Sequence, residues 1–185
     1  MNIDTARFNM IEQQIRPWNV LDASVLELLS VVKREDFVPA AHKALAFADL
    51  EIPLMGSGED AMRLGQCMLE PRLEARLLQD LAVQSHETVL EIGTGSGYMA
   101  ALLARKARNV LSLEIVPELA DMARANLRNA GVQNVEVNLA DGAQAKPADG
   151  PFDVIVLSGS VAEVPHNLLQ MLKVGGRLGG IVGDE

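Results

Sequence analysis

The sequence predicts an α/β fold: an open parallel sheet with helices on both faces, preceded by a helical extension. Three observations carry the prediction. From residue 71 to residue 182, short apolar runs alternate with segments of helical period, the pattern of strands joined by crossover helices. The first run, Thr88 to Ile92, opens into a glycine-dense turn, Gly93-Thr94-Gly95-Ser96-Gly97. The next two runs end on or just before a carboxylate, Glu114 and Asp141.

The elements follow in order. Arg7 to Ile15 reads as a short helix, stopped by Arg16-Pro17. Asp22 is an N-cap for a helix from Ala23 to Lys33, with Val25, Leu26, Leu28, Leu29 and Val32 at helical spacing. Phe37-Val38-Pro39 breaks it, and Phe47 to Gly65 reads as a loop. Residues 1–60 are thus expected to form a helical and loop extension, and residues 61–185 the α/β domain. Pro71 opens a helix to Val83, with Leu73, Leu77, Leu78 and Leu81 on one face. The strands are Thr88 to Ile92, Asn109 to Glu114, Val135 to Ala140, Phe152 to Leu157 and Arg177 to Val182. The helices between them are Tyr98 to Ala104, Pro117 to Ala130 (stopped by Gly131) and Pro165 to Lys173. The expected sheet order is 3-2-1-4-5, with Gly179 and Gly180 weakening the fifth strand.

Composition narrows the function classes. A chain of 185 residues with 49% hydrophobic residues can bury a full core. Its net charge is −9 without a Lys/Arg cluster, which disfavours nucleic acid as a partner. Cys67 is the single cysteine, so no internal disulfide forms and a reducing, cytoplasmic setting is expected. Met1-Asn2-Ile3-Asp4 does not begin a signal segment, and no apolar run suits a membrane span. His42, His86 and His166 share no ligand spacing, so no metal site is expected. Nothing in the sequence specifies an oligomeric state.

The glycine turn is the chemical centre. Glycines let the backbone approach a ligand, and a new helix offers unpaired N–H groups. The spacing here is G-x-G-x-G, not the G-x-G-x-x-G of dinucleotide folds. With an acidic residue, Glu91, two positions before the first glycine, it resembles motif I of the S-adenosylmethionine (SAM) methyltransferases. That resemblance implies SAM as cofactor. Glu91, Gly93, Thr94, Gly95, Ser96 and Gly97 would form its floor, and Glu114 would hold the ribose hydroxyls. Asp141-Gly142 would face the adenine.

The chain as a whole resembles the bacterial protein-L-isoaspartate O-methyltransferase family. The carriers are Met10 with Gln13-Gln14, Arg34-Glu35-Asp36-Phe37-Val38-Pro39, Phe47 with Asp49, and the whole of Val89 to Tyr98. Asp141-Gly142, Pro151-Phe152-Asp153, Pro165, Leu168-Leu169, Leu172 and Gly175-Gly176-Arg177-Leu178 continue it. The family implies methylation of the α-carboxyl of isoaspartyl residues in damaged proteins or peptides, followed by succinimide formation and partial return to aspartate. It also implies a Rossmann-like sheet closed by an antiparallel hairpin, which the three residues after Val182 are too few to form; the domain 61–185 is therefore expected to be C-terminally incomplete. A carboxylate is already ionised at neutral pH, so the chemistry needs no general base.

One segment departs from the family. Gly65, Gln66 and Pro71 match its Gly-Gln-Thr-Ile-Ser-x-Pro, but Cys67 stands at the threonine and Leu69 at the active-site serine. Leu69 offers no hydrogen bond, and Glu70 repels a carboxylate. The departure leaves open an altered acceptor, such as a small molecule, or SAM binding without turnover. Trp18 reads as a packing anchor, Cys67 as an inert thiol, and Met55, Met62 and Met68 as loop packing or an apolar acceptor lining.

Overall fold

A computed structural model describes residues 2–56, 58–146 and 149–183. The chain divides into two compact units, Met1–Asp80 and Leu81–Glu185.

In the first unit, Asn2 caps helix α1 (Ile3–Met10), which runs on through a π-turn over Ile11–Ile15. Asp22 caps α2 (Ala23–Val31), accepting from Ser24 N at 2.8 Å and Val25 N at 3.3 Å. The stretch expected to be a loop holds β1 (Ile52–Pro53) and α3 (Gly58–Arg63). β1 pairs antiparallel with β2 (Cys67–Met68), a two-residue ladder too short to leave a periodic signal. Helix α4 (Pro71–Leu81) groups with the extension because its side chains hold it. Gln79 bonds Asn19 O, Leu21 N and Asp22 N, Arg72 pairs with Asp49 at 2.7 Å, and Glu74 pairs with Arg34. The contacts therefore divide the chain at residue 80, where composition had suggested 60. Composition registers the change in patterning; these hydrogen bonds and ion pairs register what α4 packs on.

The second unit is the α/β layer structure. Its strands are β3 (Thr88–Ile92), β4 (Asn109–Glu114), β5 (Val135–Leu139), β6 (Phe152–Val161) and β7 (Leu172–Val182). All pair in parallel in the order β5-β4-β3-β6-β7, the 3-2-1-4-5 arrangement expected. Helix α5 (Tyr98–Ala104) is buried along its whole length. It packs with α6 (Pro117–Asn129), which buries Leu119, Ala120, Ala123 and Leu127, against β4 and β5. The opposite face carries Leu90, Leu113, Ile155 and Leu157 beneath Phe152, Leu168 and Met171. Its cover is thin, because α7 spans only His166–Leu169. The expected helix to Lys173 stops early since Leu172 already pairs with Phe152 in the sheet. β7 then bulges before resuming at Arg177, with Gly175 at φ +82°. Gly179 and Gly180 have a packing role: a Cβ there would meet Leu81 at 3.0 Å and Leu157 at 2.6 Å.

Asp153 ties the sheet's lower rim, accepting from Thr88 N at 2.8 Å, Thr88 Oγ1 at 3.0 Å and Lys173 Nζ at 2.7 Å. The Lys173 bond, and then the Thr88 N–H, hold its carboxyl down at about 2. A carboxyl depressed in the folded state stabilises above its unfolded pKa, near 4, and loses that contribution as pH falls toward 2. Asp153→Ala should cost about 1 kcal/mol at pH 7, allowing for screening at a partly exposed pair. Urea melts should show that difference closing near pH 2.

Candidate functional site

β3 ends at Ile92, and Gly93 N continues its ladder by donating to Leu113 O at 2.8 Å. The chain then turns through Gly93, Gly95 and Gly97 at φ +89°, +54° and +85°, a left-handed path that side chains resist. Gly97 serves packing as well: a Cβ would lie 3.3 Å from Ala123 Cβ and Leu127 Cγ of α6. Asn126 of α6 donates to Ser96 O at 2.9 Å, fixing the turn from the helix side.

Glu114, at the end of β4, is 5% exposed and faces this turn. Its Oε2 accepts from Gly95 N at 2.8 Å and its Oε1 from Val116 N at 3.0 Å. Each oxygen retains a second acceptor position. Glu91 lies beneath, fully buried, accepting from Ser112 Oγ at 2.5 Å and Ser158 Oγ at 2.8 Å. Ser112 Oγ in turn lies 2.6 Å from Thr94 Oγ1, so a hydroxyl–carboxylate chain joins β3, β4, β6 and the turn. Thr94, a member of this chain, and Ser96 of the turn are both buried.

Asp141 is exposed after β5 and caps a single 3₁₀ turn, Gly142–Gln144, through Ala143 N at 2.9 Å. Gly142 has no room for a side chain: a Cβ would lie 2.3 Å from Ile92 Cγ2. That contact seats Asp141-Gly142 against the end of β3. The expected residues Glu91, Gly93 to Gly97, Glu114, Asp141 and Gly142 thus meet at the carboxyl ends of β3, β4 and β5. A cleft of about 510 Å³ opens on the thinly covered face, lined by Leu90, Leu111, Ala140 and Met171 with Asp141 at its rim. Neither the glycine turn nor Glu114 lines it.

Ser112, Ser158 and Asn126 were not among the expected residues. Ser112 carried a signal, being a polar residue centred in a strand otherwise read as core. Ser158 lies one residue beyond the expected end of its strand, and Asn126 looks like any polar residue of a surface helix.

In the first unit, Cys67 and Leu69 lie on and just after β2. Cys67 is half-buried and donates its thiol to Glu51. Burial, then the charges of Glu51 and Glu70, pushes the thiol up to about 11, so its thiolate fraction at neutral pH is small and it reacts slowly. Leu69 is half-buried, and its carbonyl accepts from Arg34 Nη2 at 2.7 Å. Arg34 is fully buried and pairs with Glu74, whose carboxyl burial pushes up to about 7 against the pull of Arg34. Trp18 is not the buried anchor expected: it is 55% exposed, with the Arg72 guanidinium 4.3 Å above its ring. Arg72 is placed there by Asp49, a partner far away in sequence.

Residues 6–184 match the sequence model of the protein-L-isoaspartate(D-aspartate) O-methyltransferase family. The chain belongs to this family. It is 42% identical over 179 residues to the protein-L-isoaspartate O-methyltransferase of Methanoculleus marisnigri, covering 97% of this chain and 78% of that protein. Against protein-L-isoaspartate O-methyltransferase 1 of Syntrophobacter fumaroxidans it is 39% identical over 185 residues, covering all of this chain and 83% of that one. A solved protein-L-isoaspartate O-methyltransferase superposes with a TM-score of 0.77 at 26% identity, over 95% of this chain and 54% of its own. This chain therefore spans about half of that structure. A putative Plasmodium falciparum isoaspartate methyltransferase, in complex with S-adenosyl-L-homocysteine, shares the fold with a TM-score of 0.76 at 19% identity, over 96% of this chain and 83% of its own. Family membership makes this chain an enzyme, a SAM-dependent O-methyltransferase. Among the described residues, no helix is long and apolar enough to cross a membrane.

Proposed function

We propose that this enzyme methylates the α-carboxyl of L-isoaspartyl residues in damaged proteins, in the cytoplasm. The observation that carries the reading is the family match over nearly the whole chain, joined to a glycine turn braced by a strand-end carboxylate.

The residues present fit the cofactor. The Glu114 carboxylate has acceptor positions left over after Gly95 and Val116, which suit two vicinal ribose hydroxyls. Exposed Asp141 suits a donor such as an adenine amino group. The turn's backbone, without side chains at residues 93, 95 and 97, suits close approach by the remainder. When bound, SAM supplies a methyl group on a sulfonium, already activated for displacement. The chain's own work is then positional. Glu91, through Ser112 and Ser158, keeps the turn rigid. Glu114 fixes the rotation of whatever the turn holds. The Cys67–Pro71 segment takes the acceptor, as its place in the family pattern implies. The acceptor carboxylate is already ionised at neutral pH, so these residues would have to align it and exclude water but need not hold or move a proton.

The test is an acceptor panel with methyl-labelled SAM: an isoaspartyl peptide, its aspartyl counterpart, free dicarboxylic acids and small alcohols. Label on the isoaspartyl peptide that base releases as methanol supports the reading. Label confined to a small molecule would instead favour an altered acceptor, for which Leu69 at the serine position is the specific observation.

A further inference from the structure

We propose that Arg34 is a positioning residue for the methyl acceptor, holding the backbone of the acceptor segment at Leu69 on the fixed support of Glu74. The proposal rests on the reading that residues 67–71 take the acceptor. Among its contacts, the Arg34 guanidinium pairs through Nη1 with Glu74 of α4 and donates through Nη2 to Leu69 O at 2.7 Å. Three segments thereby meet at one side chain: the turn Arg34–Asp36, the acceptor segment and the first turns of α4.

The Leu69 carbonyl takes its hydrogen bond from this guanidinium and not from the helix. The neighbouring Glu70 carbonyl already accepts from Leu73 N at 3.0 Å and Glu74 N at 3.3 Å, as the entry to α4. Pro71 has no N–H to offer. The acceptor segment therefore leaves β2 with its Leu69 carbonyl directed at Arg34 and its Glu70 carbonyl at the helix.

The burial of the pair marks it as more than a stabilising device. Arg34 is 0% exposed and Glu74 4%. Burying both charges carries a desolvation cost that well-packed apolar side chains would avoid, and such replacements are often neutral or stabilising. An apolar pair could not donate to Leu69 O. A lysine could pair with Glu74, but its single ammonium lacks the planar fork that serves two partners at once. An arginine serves both Glu74 and the Leu69 backbone, which neither replacement does.

The test compares Arg34→Met/Glu74→Leu and Arg34→Lys with the unmodified chain. Four quantities are read: the melting temperature, SAM affinity by calorimetry, KM and kcat for an isoaspartyl peptide, and the rate at which N-ethylmaleimide modifies Cys67. The last reports release of the segment without needing turnover, because Cys67 is the only thiol. The double variant should remain folded, shown by a cooperative melt, and bind SAM equally. Its KM should rise at least tenfold with a smaller change in kcat, and Cys67 should react at least fivefold faster. Arg34→Lys should shift KM and thiol rate in the same direction, and it carries the test if the double variant does not fold. Unchanged KM and thiol rate in a folded variant would overturn the proposal. If the unmodified chain does not turn over the peptide, the acceptor reading fails, and the thiol rates alone still decide whether Arg34 holds the segment.

Discussion

Glu114→Ala should weaken SAM binding by about 1.5–3 kcal/mol, the range for hydrogen bonds to a charged group, and so roughly tenfold to a hundredfold. Two losses combine. The first is the proposed pair of acceptors for the ribose hydroxyls. The second is internal to the chain: Gly95 N and Val116 N both donate to this carboxylate, and truncation leaves them without it. Gly95 sits in a left-handed conformation at φ +54°, so the brace sets the shape of the turn as well as its satisfaction. Glu114→Gln separates the parts. Its amide oxygen can replace one acceptor but not both, so affinity should fall between the two. Calorimetry is the measurement, and an unchanged dissociation constant for Glu114→Ala would remove this residue from the site.

Restoring the family residues by Cys67→Thr and Leu69→Ser should raise isoaspartyl turnover by about tenfold, the lower end of what one hydrogen bond to a charged acceptor supplies. The change adds a hydroxyl donor where Leu69 offers none. It leaves the Arg34 contact intact, since that bond goes to the backbone carbonyl of residue 69. Thr can replace the Cys67 thiol as donor to Glu51. SAM affinity should not change. Kinetics at saturating SAM with a varied isoaspartyl peptide decide the matter. Robust turnover in the unmodified chain that falls in the double variant would mean that Leu69 belongs to a working variant of the acceptor site.

The sheet was readable in the sequence because its signals are local. β3 and β4 occupy the expected spans, and Gly131 ends α6 in the left-handed conformation that such glycines provide. The residues proposed to hold the cofactor meet for the same reason, since a turn and two strand-end carboxylates are fixed by position along the chain. What escaped was set by distant partners. Ile52–Pro53 is a strand only because Cys67–Met68 lies beside it. Trp18 carries a guanidinium because Asp49 and the start of α4 bring Arg72 over it. β7 begins five residues early because Phe152 pairs with Leu172 across a bulge. Arg34 belongs to a segment that resembles the family, but its hold on Leu69 joins residues 35 positions apart, which no periodicity encodes.

The central claim, isoaspartyl carboxyl methylation, is tested most directly by following the acceptor itself. A peptide containing one isoaspartyl residue, incubated with the enzyme and SAM, should lose its isoaspartyl form. It should gain a mass of one methyl group, then yield succinimide and aspartyl forms with release of methanol, as resolved by chromatography and mass spectrometry. The same peptide with aspartate at that position should remain unmodified. An isoaspartyl peptide that persists unmethylated while another acceptor takes the label would contradict the account.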